Sequence, residues 1–323
     1  MLTIEPTGAI LGATIHGLDL SRDVSDHNFP LILQALGRHG VLRFPDQHLE
    51  MEQLRRFSER FGDIQGPTAA TPAAARATYE TIGTLSNLQE NGKYIGLPDA
   101  GQDWHTDLSY HPVVGFVNVL YGLRIPRRDG KALGGTEFSN MHAAYDALPE
   151  DIRTRLANAT VSHDYEKLWE HMRRVHGSKR PPLTDEQRRL RPPAVHDLFL
   201  THPITGRKVL YANPGYAVRI SELSERDSEE TLSFLFAHQL ESRFRYTHEW
   251  TENDVIVWDH LGTIHRAIAD YRPDEIRLMR RCQVMASRVF DPAFLRPVQA
   301  LNVAAQGYTN PLKESPIHGY QSR

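Results

Sequence analysis

The chain holds a single cysteine, Cys282, among its 323 residues. One thiol allows neither an internal disulfide nor a zinc site built from cysteines. Long apolar runs are also missing. No stretch approaches the roughly 20 consecutive apolar residues that cross a bilayer. Residues 1–8 lack the basic stretch and apolar core of a secretory signal, so a cytoplasmic location is expected. There is no excess of one charge: 37 Lys and Arg stand against 40 Asp and Glu, a net charge of -3. That balance argues against a dedicated nucleic-acid binder. Repeats and charged tails are absent. Neither G-x-G-x-x-G after a strand nor G-x-x-x-x-G-K-S/T occurs, so nucleotide-binding folds gain no support.

What is present reads as a soluble globular chain, 40% hydrophobic and 24% charged, read as a single domain over 1–323. Helical spacing is expected over 25–38, where Leu31, Ile32, Ala35 and Leu36 form a stripe ended by Gly40. A second helix is expected over 50–61, with Leu54, Phe57 and Phe61 on one face and Gly62 as its stop. Further helices are expected over 140–157, with a turn at Pro149, and over 224–239. Strands are expected over 9–15, 41–44, 79–84, 116–123, 136–138, 255–258 and 278–287. Phe244, Tyr246, His248 and Trp250 alternate as a half-buried strand, and 198–210 reads as a hairpin turning at Thr205-Gly206. Segments 66–78, 90–101 and 126–135 read as loops. Segment 171–193 is basic, carries two Pro-Pro pairs and lacks a period. Such a segment is either an active-site lid or a solvated insertion. The inventory lacks strand–helix alternation. It fits a mainly β fold with helical insertions (α+β), a jelly-roll sandwich whose metal-binding forms include the cupins.

The chemistry centres on Trp104-His105-Thr106-Asp107. On an extended strand, residues two apart face the same side. His105 and Asp107 can then share one metal ion, and a second His from a distant strand would complete a facial triad with open positions, the pattern of non-haem Fe(II) oxygenases. The same spacing recurs at His48-Leu49-Glu50, where a helix entrance explains it better. Candidates for the distant ligand are His248, His260 and His265. Spacing leaves the last two open. Arg277, Met279 and Arg281 alternate on one strand face. Guanidinium groups turned inward are costly unless each meets an anion, either a protein acid or a dicarboxylate cosubstrate.

Further blocks carry a resemblance. Trp104 to Tyr110, Gly134-Gly135-Thr136-Glu137-Phe138 and Ala143 to Pro149 occur in order. They are followed by Thr201-His202-Pro203, Gly206-Arg207-Lys208, Asn213, Arg219-Ile220, and Trp258-Asp259 with Thr263, His265, Asp270 and Tyr271. Over residues 5–287 the chain resembles the taurine dioxygenase / 2,4-dichlorophenoxyacetate dioxygenase family. That resemblance implies a double-stranded β-helix and a reaction using Fe(II), O2 and 2-oxoglutarate, with succinate and CO2 released. It assigns the metal to His105, Asp107 and His265, and makes His260 a neighbour. It assigns 2-oxoglutarate to Thr136, Arg277 and Arg281. Asp107 in place of Ala or Gly speaks against halogenation. It further implies a small-molecule substrate and a homo-oligomer, dimer or tetramer, while the charge balance and the lack of a long apolar run lead us to expect no nucleic-acid or membrane partner. A zinc hydrolase, or a non-catalytic sensor of a small acid, would use the same scaffold. Against that family, the His and Asn that grip taurine are replaced by Gly66 beside Gln65 and by Gly101, a Ser-Phe pair lining the pocket by Leu168-Trp169, and a further pocket Phe by Tyr211. Tyr110, Trp169 and Tyr211, with Arg281 as anion anchor, suit an aromatic or longer aliphatic acid instead.

Overall fold

Strands buried on both faces read as unbroken apolar runs. The two clearest in this chain, Gly115–Arg124 and Val255–Asp259, pair with each other inside a seven-stranded sheet. The structure, a computed structural model, describes residues 1–66, 81–178 and 180–307. In chain order the strands used below are β1 (Thr3–Pro6), β2 (Ala13–His16), β3 (Val41–Phe44), β4 (Gly83–Ser86), β5 (Gly115–Arg124), β6 (Thr136–Asn140), β7 (Thr160–His163), β8 (Ala194–Asp197), β9 (Ala217–Ile220), β10 (Arg245–His248), β11 (Val255–Asp259), β12 (Thr263–Ala267) and β13 (Leu278–Met285). The helices are α1 (Asn28–His39), α2 (Met51–Glu59), α3 (Met141–Asp146), α4 (Glu150–Arg155), α5 (Tyr165–Arg174), α6 (Asp185–Arg189), α7 (Glu225–Gln239) and α8 (Pro292–Gly307).

The large sheet runs β1-β2-β3-β11-β5-β13-β4, antiparallel except between β2 and β3. A second sheet runs β10-β6-β12 and a third β8-β7-β9. An aromatic chain fixes the early helices to the large sheet. Phe57 of α2 meets Phe44 of β3 edge-on at 5.5 Å, and Phe61 contacts Phe57, Phe29 of α1 and Phe116 of β5. Such edge contacts add to the gain from burial. No described helix is long and apolar enough to cross a membrane.

The expected elements are found with shifted ends. Of the strand expected over 9–15 only 13–15 are strand, the start of β2; residues 9–12 belong to the turn that folds β2 back on β1, with Gly12 at positive φ. The strand expected over 79–84 is β4, starting at Gly83. Residues 79 and 80, and nearly all of the loop 66–78, lie outside the described residues. Segment 171–193 is less irregular than its composition suggests. Helix α5 runs to Arg174, and α6 is started by a capping box between Thr184 and Gln187. His48 is exposed beside Asp46, while Glu50 caps α2 together with Gln53. The bland reading of the second His-x-acid pair is therefore the one found. Helix α8, packed on α1 and containing Pro297, had no counterpart in the sequence reading.

Two buried imidazoles link the fold to pH. His163 on β7 is fully enclosed and neither ring nitrogen has a partner. Burial, aided by His196 and Lys167, lowers its pKa to about 3. Burial and His202 lower that of His142 to about 4. Unfolded, both take up protons near pH 6.5. Their neutral burial therefore contributes in full above that pH and is lost as pH falls toward about 4 for His142 and about 3 for His163. At about 1.4 kcal/mol per unit, this is on the order of 3 kcal/mol for His142 and about 5 kcal/mol for His163. The melting temperature should fall steadily from pH 7 to pH 4.5, and His163→Phe should flatten the slope. A slope unchanged by that substitution would contradict the assignment.

Candidate active site

His105 and His265 come together through their main chains. The His105 N–H donates to the His265 carbonyl at 3.0 Å, and the His265 N–H returns the bond at 2.7 Å. This isolated bridge extends the β10-β6-β12 sheet by one pair, because His265 lies on β12 opposite Phe138 of β6. The extended strand expected around His105 is reduced to that bridge. The chain turns immediately afterwards, with Leu108 in the left-handed region at φ 64°. A non-glycine residue held there is a local strain that the enclosing structure must support. The two-residue offset still works. Asp107 Oδ1 lies 3.7 Å from His105 Nε2, and Oδ2 lies 3.6 Å from His265 Nε2. One ligand atom from each residue falls within 4.8 Å of the others, and all three residues are buried.

The charge states suit a cation. Burial raises the Asp107 pKa, but Arg281 and the two imidazoles outweigh it and hold the carboxyl well below its usual range. Burial and His105 push the His265 pKa well down. The His105 Nδ1–H donates to the Asp103 carbonyl at 2.7 Å, which leaves Nε2 as the free lone pair. Asn118 Nδ2 on β5 donates to Asp107 Oδ2 at 3.3 Å and steadies the carboxylate. Two neutral imidazoles and a carboxylate beside a cavity form a donor set that could hold Fe(II).

The turn before His265 depends on Asp259. Its carboxylate accepts from the Leu261 and Gly262 N–H groups and faces His202 Nε2 at 2.9 Å, while its carbonyl accepts from Thr263 Oγ1. Gly262 is required there: a Cβ would sit 2.5 Å from Asp259 Oδ2. The turn puts His265 into the cluster and leaves His260 beside it, where Thr106 Oγ1 donates to the His260 carbonyl at 2.8 Å. His248 faces Asp254 and the edge of Trp250, away from the cluster.

The cavity next to the cluster is lined by His105, His265, Thr136, Trp258, Arg277 and Arg281. Arg277, just before β13, is 5% exposed. Among the described residues no carboxylate pairs with it, and its Nε has no hydrogen-bond partner. Burial lowers its pKa, with Tyr271 opposing. Gly134 makes room for the side chain, since a Cβ would meet Arg277 Cδ at 3.1 Å. Thr136 Oγ1 accepts from Trp250 Nε1 at 3.0 Å. Arg281 lies 3.7 Å from Asp107 Oδ2.

The aromatic candidates divide into two places. Tyr110 meets Tyr165 and Tyr216, each at 4.7 Å, and Tyr165 meets Trp169 at 5.7 Å. Arg191 covers Tyr165 at 4.5 Å and Arg180 covers Trp169 at 5.2 Å, so segment 171–193 borders this cluster. Tyr211 is not part of it and packs on His163 and His196. Sequence reasoning gives no role in the site to Asn118, Tyr165, Tyr216, Arg180, Arg191 or Trp250. The only signal available for Asn118 was a lone amide in an otherwise apolar strand.

Comparison with known proteins gives a consistent result. The chain is 35% identical over 285 residues to pentalenolactone F synthase of Streptomyces avermitilis, covering 85% of this chain and 90% of that one. It is 30% identical over 269 residues to the (S)-phenoxypropionate/alpha-ketoglutarate-dioxygenase of Sphingobium herbicidovorans, covering 82% and 88%. The crystal structure of AAD-2 in complex with Mn(II) and N-oxalylglycine superposes with a TM-score of 0.74 at 25% identity, covering 89% of this chain and 98% of that one. Residues 3–283 match the family described as taurine catabolism dioxygenase TauD, TfdA family. With that match spanning nearly the whole described chain, around a buried two-histidine, one-carboxylate cluster, the protein belongs to the TauD/TfdA dioxygenase family.

Proposed function

We propose that the chain is an Fe(II)- and 2-oxoglutarate-dependent dioxygenase that hydroxylates or oxidatively cleaves a small, anionic organic substrate other than taurine. Its sheets form one jelly-roll domain of the double-stranded β-helix type, the active protein is a homo-oligomer, and segment 171–193 is its lid. His105, Asp107 and His265 hold the metal. Arg277 and Thr136 take the distal carboxylate of 2-oxoglutarate, and Arg281 lies by the inner carboxylate or the anionic group of the substrate. The observation that carries this reading is the Arg277 guanidinium, enclosed without a counter-ion in the cavity that the metal cluster opens onto. A buried cation without a counter-ion is costly even with the Tyr271 hydroxyl beside it, and a dicarboxylate would supply that counter-ion.

When bound, iron would supply the O2-dependent oxidation chemistry, in which 2-oxoglutarate ends as succinate and CO2 and the substrate is oxidised. The protein positions the reactants and keeps water out. Asn118 and the Asp103 carbonyl orient two of the ligands. Tyr110, Tyr165, Tyr216 and Trp169 form an aromatic wall near Asp107, and Arg191 and Arg281 add positive charge around it, while Arg180 is paired with Asp99. An aromatic acid matches both features, and relatives named for phenoxypropionate and 2,4-dichlorophenoxyacetate dioxygenation favour the same class.

The test is an anaerobic visible spectrum of the protein with Fe(II), before and after 2-oxoglutarate. A weak charge-transfer band should appear with the keto acid and be missing in His105→Ala. Aryloxyalkanoates, alkyl sulfates and sulfonates are then screened by their effect on that band. Absence of the band with iron demonstrably bound would overturn the cosubstrate assignment.

A further inference from the structure

A second group of metal-type ligands lies outside the cavity just described. Asp103 precedes the bridge residue His105, and His171 and His176 stand at and just beyond the end of α5. Asp103 Oδ2 is 3.4 Å from His171 Nε2 and 2.9 Å from His176 Nε2, and the two rings are 5.7 Å apart. The three donor atoms lie within 4.8 Å of one another. Despite the short distances, Asp103 Oδ2 is buried and makes no directed hydrogen bond to either imidazole. A cation held between the three donor atoms would give that buried carboxylate oxygen the partner it lacks. Bonds of about 2.0–2.1 Å in a tetrahedral site place donors roughly 3.4 Å apart, close to what is seen. The side chains of Asp103, His171 and His176 are 28%, 47% and 31% exposed, so an ion can reach them from solvent. Of the positive groups nearby, Arg173 and Arg174 are engaged by Glu170, and Lys167, which lines the same cavity, turns its ammonium to the Ala217 carbonyl at 2.6 Å.

We infer that Asp103, His171 and His176 form a second site, for a divalent transition metal of the zinc class, with water as the fourth ligand. The ion fastens the end of α5, and the segment that follows it, to the loop leading into His105. The Asp103 carbonyl is also the acceptor for His105 Nδ1, so the site bears directly on the orientation of that imidazole. The inference does not depend on the dioxygenase reading.

The experiment is an anaerobic titration of the full chain with Co(II) alone. Four-coordinate Co(II) absorbs intensely in the visible, whereas the six-coordinate ion expected at His105, Asp107 and His265 absorbs weakly. Two ions per chain are expected, one of them giving intense bands. His176→Ala and Asp103→Asn should each remove those bands and weaken that ion by more than the roughly 10–100-fold lost with an outer-sphere partner. The weak absorption should survive in both. Zinc should raise the melting temperature of the parent chain more than that of either variant, which separates loss of the site from misfolding. Saturating Co(II) without intense bands would overturn the inference. So would bands that persist in both variants, or that vanish in His105→Ala while surviving His176→Ala.

Discussion

Arg277→Met should do two opposite things. Binding of 2-oxoglutarate should collapse, because truncating one partner of a buried, hydrogen-bonded ion pair costs on the order of 3 kcal/mol, or about 100-fold in affinity. The protein without cosubstrate should melt at the same temperature or higher. In that state Arg277 is enclosed, with Nε unpartnered and no acid beside it, and Met removes a desolvated charge while keeping much of the volume. Isothermal titration with 2-oxoglutarate and a melting curve measure the two effects on one sample. Unchanged affinity would remove Arg277 from the cosubstrate site. A large drop in melting temperature would mean that the guanidinium has a structural partner.

Asp107→Ala should abolish iron-dependent turnover. The carboxylate is the only anionic donor in the cluster and faces both imidazoles, at 3.7 and 3.6 Å. Without it, two neutral rings and Arg281 surround the ion position, and a divalent cation meets positive charge with nothing to offset it. Retained iron, followed by a colorimetric chelator assay, should fall below one ion in ten chains, and succinate release should reach background. Asp107→Glu keeps the charge but adds a methylene at a site where Leu108 already holds a strained backbone. It should bind iron more weakly than the parent and better than Asp107→Ala. A rate unchanged in Asp107→Ala would refute the metal assignment.

The histidine and acid of the Trp104–Asp107 block could be read from the chain because their spacing alone makes them neighbours. The choice between His260 and His265 could not. It is decided by the turn that Asp259 holds and Gly262 permits, and spacing does not reveal which side of a tight turn a ring leaves. The resemblance supplied the answer that periodicity lacked. Asn118 was invisible for a related reason. A single amide in a buried strand looks like an interruption until the loop carrying Asp107 is laid across it. Most strands were found because their apolar runs are unbroken or alternate cleanly. Helix α8 was missed: no element was read beyond residue 287, and its own run is interrupted by Pro297. The grouping of Asp103 with His171 and His176 spans a gap that no local pattern bridges.

Strand β13 has a consequence for how the molecule is made. It enters the sheet between β5 and β4, with Arg281 on it, although it is the last strand among the described residues. Until those residues leave the ribosome, β5 and β4 each present an open edge, and such edges are templates for pairing between chains. The paired histidines of the cluster share this delay, since His105 bridges to His265 on β12. Biosynthesis should therefore run in a fixed order: the sheet closes only once the final strand is released, and the metal enters afterwards. Chains cut short by translational arrest before residue 285 should be clients of chaperones and proteases rather than slow or partial enzymes.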